Sequence, residues 1–503
     1  MEYKKNLFLE SAFRQSLNGS GPQNQLVPVD FSKFRIAKLT KKFLFSGWGW
    51  NDVLPYFKKM EDTTIPEYSK NRDHRSTKGY MSVSRVPYRT PIADAFVEAG
   101  RYMGQPIVDY NGPTQSGFDY LQVSMKNGTR WSGSRAFLHP ISGRQNLHVK
   151  KQSLVTKILI DPNTKTAVGV EFMRNNRKYI VKARKEVIVS AGTINSAQLL
   201  MLSGIGPKEH LKEKKIKVVQ DAKVGYNLQD HIAPGGLTYT IRYPYSLITE
   251  RIIGSKDAMT DYFSFHTGPM SVPGGCEALA FLDLDNMNNT DGYPDLELLL
   301  VSGGLTSEAT LRKDFNIQEN LYMKVYDPIK KYDTIMVLPM IMRPKSIGRI
   351  MLRDKNPFHH PLIYPNYYTD PEGYDVKIAV AGIRKTNELI QTPPFKKLGA
   401  KLYAEPLPPC KKHGFDTDAY WECFARHFTF TIYHHVGTCK MGPDSDPDAV
   451  VDERLRVRGI KNLRVIDASI MPVIPAAHTN APTYMIAEKG ADMIKEDWGN
   501  NIR

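Results

Sequence analysis

Two histidine-bearing turns lie on either side of a short apolar strand near the carboxyl terminus. His434 and His435 precede the strand, His478 follows it, and Asp467 comes directly after its apolar residues at 463–466. Open α/β sheets bind ligands at the carboxyl ends of their strands. Asp467 is therefore placed for binding rather than for packing, and the segment is a candidate site of chemistry.

A helix is expected to begin immediately after His478. Asn480 is a residue type that caps helix starts, Pro482 suits the first turn, and Ile486 and Met493 keep helical spacing. A helix N-terminus favours negative charge, so His478 would lie where an anion could develop on a substrate or a cofactor ring. The alternative is an ordinary loop histidine that bonds to backbone.

The adjacent pair His434 and His435 points to opposite faces if this piece is extended, so only one of them is expected to face a site. Cys439 and His478 complete the set of potential metal ligands in this region. Their spacing contains no Cys-x-x-Cys or His-x-x-x-His pair, and we expect no metal site.

A second pattern predicts a strand, a turn and a helix at residues 187–204. Three β-branched residues at 187–189 indicate a buried strand, Gly192 permits a tight turn, and leucines at 199, 200 and 202 indicate a helix that ends at Gly204. This is a unit of an α/β core. Taken alone, it is typical of scaffold rather than of a site.

Several segments together resemble the glucose-methanol-choline (GMC) oxidoreductases, flavoenzymes that oxidise alcohols and sugars, and especially their insect members. The carboxyl-terminal segment 433–489 resembles the family's signature. Four further segments follow the family's order: NGTRWSGSRAFLHP (127–140), KEVIVSAGTINSAQLLMLSGIGP (185–207), VGYNLQDH (224–231) and GRIMLRDKNPFHHPLIYPNYYTDP (348–371). By itself, each also has an ordinary reading as a turn or scaffold element.

The resemblance implies a mixed α/β (α+β) fold and an FAD cofactor. A Rossmann-like FAD-binding domain, incomplete here, would be joined to a substrate domain built on a large antiparallel sheet flanked by helices. The expected boundaries are an atypical basic segment at 1–45, the remainder of the FAD-binding domain at 46–232, a substrate-binding region at 233–345, and a carboxyl-terminal domain with the catalytic histidines at 346–495.

The resemblance also assigns roles to residues. His434 would accept the hydroxyl proton of the substrate, for which an unperturbed pKa of about 6.5 is suitable, and His478 would steady the resulting alkoxide. Insect relatives commonly carry Asn at the second position. The residues expected to bind the cofactor are Val155, Asp467, Ala468, Thr479 and Asn480. The implied partners are a small alcohol or sugar and a quinone or other electron acceptor.

One family feature is absent from the sequence. A flavin domain normally opens with a strand and G-x-G-x-x-G, whose backbone approaches the pyrophosphate, and no such fingerprint occurs in this chain. Residues 1–45 carry eight basic and three acidic residues and do not resemble the family. We therefore expect a truncated or mis-assembled product. The rival hypothesis is a non-catalytic relative that no longer holds FAD.

Composition agrees with a large globular enzyme. The chain has 503 residues, 41% of them hydrophobic, and a formal net charge of +16. Its basic residues are scattered among acidic ones without an aromatic-interleaved patch, so we expect no nucleic-acid partner. No apolar run reaches the roughly 20 residues of a membrane span, and no signal peptide is recognisable. The compartment stays open, and Cys410 could pair with Cys423 or remain reduced.

Overall fold

The computed structural model describes residues 47–284 and 293–499, so the expected basic segment at 1–45 lies outside the described residues. Within that part the helices are α1 (Trp50–Met60), α2 (Pro91–Tyr102), α3 (Gly192–Leu202), α4 (Lys208–Glu213), α5 (Thr249–Ile253), α6 (Lys256–Phe265), α7 (Leu311–Asp314), α8 (Glu319–Val325), α9 (Tyr374–Ile390), α10 (Pro393–Lys397), α11 (Asp418–His427) and α12 (Asn480–Trp498).

The strands of the same part are β1 (Glu61–Thr63), β2 (Met81–Arg85), β3 (Gly117–Tyr120), β4 (Gln122–Val123), β5 (Met125–Lys126), β6 (Thr129–Arg130), β7 (Leu154–Asp161), β8 (Thr166–Arg174), β9 (Arg177–Lys182), β10 (Val187–Val189), β11 (Ile205–Gly206), β12 (Gln220–Asp221), β13 (Ile232–Pro234), β14 (Thr238–Ile241), β15 (Cys276–Leu282), β16 (Leu296–Val301), β17 (Asp333–Ile341), β18 (Arg349–Met351), β19 (Leu362–Tyr364), β20 (Lys401–Leu402), β21 (Thr429–Thr431) and β22 (Leu463–Val465).

A large antiparallel sheet forms one half of the molecule. Its strands run in the order β20-β14-β17-β16-β15-β3, and β13 joins it by pairing with β17 and β21. Every residue of β15, β16 and β17 is buried, and helices α2 and α9 pack against these strands. The sheet matches the expected substrate domain, although β3, β20 and β21 come from outside residues 233–345.

The other half is built around the parallel pair β10–β22. Val187 pairs with Leu463 and Val189 with Val465, and both strands are largely buried in a second apolar core. Helix α3 follows β10 and ends just before Gly204, so the predicted strand-turn-helix unit is confirmed. An antiparallel sheet of β7, β8 and β9 lies in the same half of the fold. The mixed α/β fold class is thereby confirmed.

A disulfide joins Cys410 to Cys423 and ties the turn before α11 to that helix. The sequence left this pairing open. His427 lies beside the disulfide, with Nδ1 3.6 Å from the sulfur of Cys423. Separately, among residues 47–284 and 293–499, no helix is both long and apolar enough to cross a bilayer.

Candidate active site

Three histidines and a glutamate form one connected cluster. Nδ1 of His434 lies 3.0 Å from Nδ1 of His231, whose Nε2 lies 3.2 Å from the carbonyl oxygen of Met342. The rings of His434 and His478 meet edge to face with their centroids 4.8 Å apart. On its far side, Nε2 of His478 lies 2.9 Å from Oε1 of Glu297. The two histidines expected from the sequence are therefore brought together, with two further partners.

The turn that carries His434 is strained and is held by side chains. Tyr433 adopts a left-handed conformation with φ of 61°, which costs a residue other than glycine about 1–2 kcal/mol. The backbone N–H of Tyr433 donates to Oγ1 of Thr431 at 3.0 Å, and that of His434 donates to Oδ1 of Asp230 at 3.0 Å. These two hydrogen bonds fix the backbone of the turn and therefore the direction in which the side chain of His434 points.

Asp230 gathers several donors around this turn. Its Oδ2 accepts hydrogen bonds from Thr431 Oγ1 at 2.5 Å and from the hydroxyl of Tyr367 at 2.6 Å, and Nε2 of His435 lies 3.3 Å from it. Burial and the charge of Asp230 raise the pKa of Tyr367, which therefore stays protonated and donates. His435 turns towards Asp230 while His434 turns towards His478, so the adjacent histidines do point in different directions.

The electrostatics keep the inner histidines neutral. Removal from water, together with the charges of His478, His231 and His435, holds the pKa of His434 well below its usual 6.5. Burial and His478 lower the pKa of His231 to about 3. His231 is fully buried, whereas His434 is only half-buried. A neutral imidazole with an accessible edge can accept a proton at neutral pH.

Glu297 introduces a carboxylate into a fully buried strand. It lies in β16 between leucines, and none of its surface is exposed. One oxygen bonds to His478, while Oε2 has no hydrogen-bond partner in the described part of the chain. An unpaired buried carboxylate oxygen is costly, so a bound molecule that donates a hydrogen bond there would be stabilised.

Helix α12 begins next to His478, one residue away from the expected cap. Thr479 is the N-cap and Asn480 is the first helical residue, so the prediction that Asn480 caps the helix is wrong by one position. Thr479 already has a nearly helical backbone, and its carbonyl accepts from both the N–H and the hydroxyl of Thr483. Among the described residues, the N-cap Thr479 makes no side-chain hydrogen bond to the first turn of α12. Its first-turn N–H groups are therefore left for another acceptor.

Asp467 ties the carboxyl ends of the two parallel strands together. Its Oδ2 accepts from the N–H of Gly192 at 3.0 Å and from the hydroxyl of Ser196 at 2.5 Å, and its Oδ1 accepts from the N–H of Ser469 at 2.8 Å. Asp467 thereby joins the start of α3 to the turn that opens at Ala468, and this turn packs against both α3 and α12. The side chain of Asp467 therefore holds the start of α3 and the turn at Ala468 in their relative positions.

The donor set in this corner fits a flavin ring. The carbonyl-rich edge of that ring needs N–H donors, which the uncapped first turn of α12 offers. Gly192 has φ of +81° and open space where a Cβ would stand. Thr479, Asn480 and Ala468 all lie at this corner. The residues present therefore fit the ring, while the fingerprint that would receive the pyrophosphate is absent from the sequence.

Val155 lies apart from these residues. It pairs with Phe172 in the sheet of β7 and β8 and is 37% exposed. Within the ranges that the structure describes, no hydrogen bond or ring contact joins it to the histidine cluster. Its expected contact with the cofactor stays a prediction.

Asp230, His231 and Glu297 are not among the site residues expected from the sequence. Asp230 and His231 belong to VGYNLQDH, a segment that resembles the family and by itself is typical of a turn, and His231 lies 203 residues before its partner His434. Glu297 had a detectable signal, since a single carboxylate in the apolar run LELLLV at 296–301 must have a buried partner. That signal indicates a partner without indicating which residue it is.

Family models for the GMC oxidoreductases match two parts of the chain. One matches residues 36–233 and the other residues 344–487. The first match begins ten residues earlier than the expected start of the family domain. Together the matches include the turn of His434, the partners Asp230 and His231, and Asp467.

Individual relatives agree with this assignment. A glucose dehydrogenase [FAD, quinone] of Drosophila pseudoobscura pseudoobscura is 39% identical over 91% of this chain and 70% of that protein. The mitochondrial choline dehydrogenase of Homo sapiens is 35% identical over 89% of this chain and 70% of that protein. The structure of formate oxidase from Aspergillus oryzae RIB40 superposes with a TM-score of 0.78 at 25% identity, over 94% of this chain and 82% of that one. The chain therefore belongs to the GMC oxidoreductase family of FAD-dependent enzymes.

Proposed function

We propose that this protein oxidises the CH–OH group of an alcohol or sugar, with His434 as the base. The observation that carries the proposal is the pairing of His434 with His478. Their rings are 4.8 Å apart, and each has one nitrogen engaged on the side away from the other ring. A hydroxyl between the two remaining nitrogens would meet both a proton acceptor and a second polar group.

His434 would take the hydroxyl proton through Nε2. Its Nδ1 is engaged by His231, so Nε2 is the nitrogen left for the substrate. The low pKa of His434 keeps the ring neutral and ready to accept at neutral pH. A neutral alcohol is a poor hydride donor, and a positioned general base contributes typically 10²–10⁴-fold to the rate.

His478 would stabilise the negative charge that develops on the substrate oxygen. Its Nε2 bonds to Glu297, which leaves Nδ1 for the substrate. A hydrogen bond donated from Nδ1 would steady the charge on that oxygen. The adjacent start of α12 adds a positive helix end.

Bound FAD supplies the acceptor for the hydride that leaves the substrate carbon. The first turn of α12, with Thr479 and Asn480, would hold the ring from one side, and the turn at Ala468 would approach it from another. Asp467 would keep these two pieces in place. Val155 would contact the remote end of the cofactor. The electrons then leave to a quinone or another acceptor.

Oε2 of Glu297 favours a substrate with more than one polar group. A second hydroxyl could donate to this buried, unpartnered oxygen while the first lies between the histidines. A sugar or polyol offers such a pair, and one relative is named for glucose.

Purified protein tests the proposal. We expect a visible flavin absorption band after incubation with FAD, and reduction of a quinone or dye in the presence of alcohols or sugars. A colourless protein that binds no added FAD would instead support the non-catalytic relative. A flavin-bound protein that reduces no acceptor with any of these substrates would contradict the proposed reaction.

A further inference from the structure

We propose that His231 is a positioning residue that sets which ring nitrogen of His434 carries the hydrogen. The kinetic consequence rests on the proposed function above, whereas the placement of the hydrogen follows from the contacts alone. The chain of contacts runs from the carbonyl of Met342 through His231 to His434.

The first link fixes the hydrogen on His231. A backbone carbonyl can only accept hydrogen bonds, so the nitrogen of His231 that faces Met342, Nε2, must donate. The carbonyl itself is held in place, since Met342 follows β17 and its N–H donates to the carbonyl of Asp295 at 2.8 Å. His231 therefore carries its hydrogen on Nε2.

The second link passes this constraint to His434. His231 is fully buried and its ring meets that of His434 edge to face, so a second proton on it would be unfavourable. Its Nδ1 is then an acceptor, and the Nδ1 of His434, at 3.0 Å, must donate to it. The lone pair of His434 is thereby left on Nε2, the nitrogen that faces away from His231.

The neighbouring residue completes the arrangement. Asp230 holds the backbone N–H of His434, while His231 holds its ring. Two consecutive residues just before β13 thus fix both the direction and the tautomer of the proposed base. A neutral imidazole whose own hydrogen is fixed is enough to select the tautomer of His434, so no carboxylate is needed beside its Nδ1.

Nuclear magnetic resonance of the full chain labelled with ¹⁵N-histidine tests the tautomer without any turnover. Long-range ¹H–¹⁵N correlations distinguish the two neutral forms, and His434→Ala assigns the signals. We expect His434 to carry its hydrogen on Nδ1 and His231 on Nε2. A wild-type His434 with its hydrogen on Nε2 would overturn the proposal, even if no variant folds.

Two substitutions separate positioning from a merely structural role. His231→Asn keeps an acceptor oxygen near the place of Nδ1, whereas His231→Leu removes it. With FAD bound, we expect His231→Leu to lower kcat roughly 10²-fold with little change in KM, and His231→Asn to recover most of that loss. Equal losses of kcat in both variants would overturn the proposal.

A matched control is another buried histidine outside the cluster. His210 accepts a hydrogen bond from the N–H of Leu352 at 2.9 Å, and in the described part of the chain no hydrogen bond joins its ring to the proposed site residues. His210→Asn should leave kcat unchanged. If no substrate is turned over by the wild-type protein, the proposed function fails, while the resonance experiment still decides the role of His231.

Discussion

Acidification should destabilise this protein through His231, and the size of the effect follows from its burial. Burial lowers the pKa of His231 to about 3, against about 6.5 in an unfolded chain. Between these values the unfolded chain binds a proton that the folded protein does not. The contribution of neutral His231 to the free energy of unfolding is therefore fully present above about pH 6.5, and it is lost progressively as the pH falls towards 3. From pH 7 to pH 5, this residue alone should lower the free energy of unfolding by about 2 kcal/mol.

Urea unfolding followed by tryptophan fluorescence at pH 7 and pH 5 measures this loss. His231→Asn removes the titrating ring and keeps a polar side chain, so its loss between the two pH values should be smaller than that of the wild type by about 2 kcal/mol. The pKa of His434 is also lowered, mainly by its removal from water, and this contribution is present in both proteins. Equal pH dependence in the two proteins would refute the neutral, buried state of His231.

Two other substitutions test the turn that carries His434 and the disulfide. Asp230→Asn should lower the free energy of unfolding by about 3–5 kcal/mol, because it removes a buried carboxylate that accepts several hydrogen bonds. The same substitution should also lower kcat. A change below about 1 kcal/mol in urea unfolding would contradict this role of Asp230. Cys410→Ser should lower the free energy of unfolding by about 3 kcal/mol, since the disulfide closes a short loop with a separation of 13 residues. Reduction of the wild type by dithiothreitol should cause the same loss. A thermal midpoint that is unaffected by the reductant would show that the disulfide does not stabilise the fold.

The sequence was sufficient for elements whose signal is local. The β-branched run at 187–189, Gly192 and the leucines at 199–202 predicted β10 and α3 correctly. The apolar run before Asp467 predicted β22 in the same way. Each of these depends on side chains a few residues apart, which is the range over which periodicity carries information.

The candidate site depended on distant residues that a pattern cannot connect. His434 and His478 are predicted through the motifs in which they lie, but their partners are distant in sequence, with His231 just before β13 and Glu297 in β16. Tertiary contact alone selects those partners. Local prediction is also imprecise at the helix start after His478. Thr479 is the N-cap of α12, whereas the sequence predicts Asn480 at that position.

The two halves of the fold meet in one site. The antiparallel sheet contributes Glu297, and the carbonyl of Met342 follows its strand β17. The half built on β10 and β22 contributes Asp467, the turn at Ala468 and the start of α12. The ring of His434 contacts His231, which precedes β13, and His478, which precedes α12. A variant that alters either half should therefore act on the same chemistry.

The central claim is that His434 takes the substrate proton as hydride leaves for FAD. The most direct test is the rate of flavin bleaching after anaerobic mixing of the flavin-loaded protein with an alcohol or sugar that it turns over. His434→Ala should retain the flavin spectrum and slow this reduction by about 10²-fold or more, whereas His413→Ala, at an exposed histidine, should leave it unchanged. An unaltered rate of flavin reduction in His434→Ala would contradict the account.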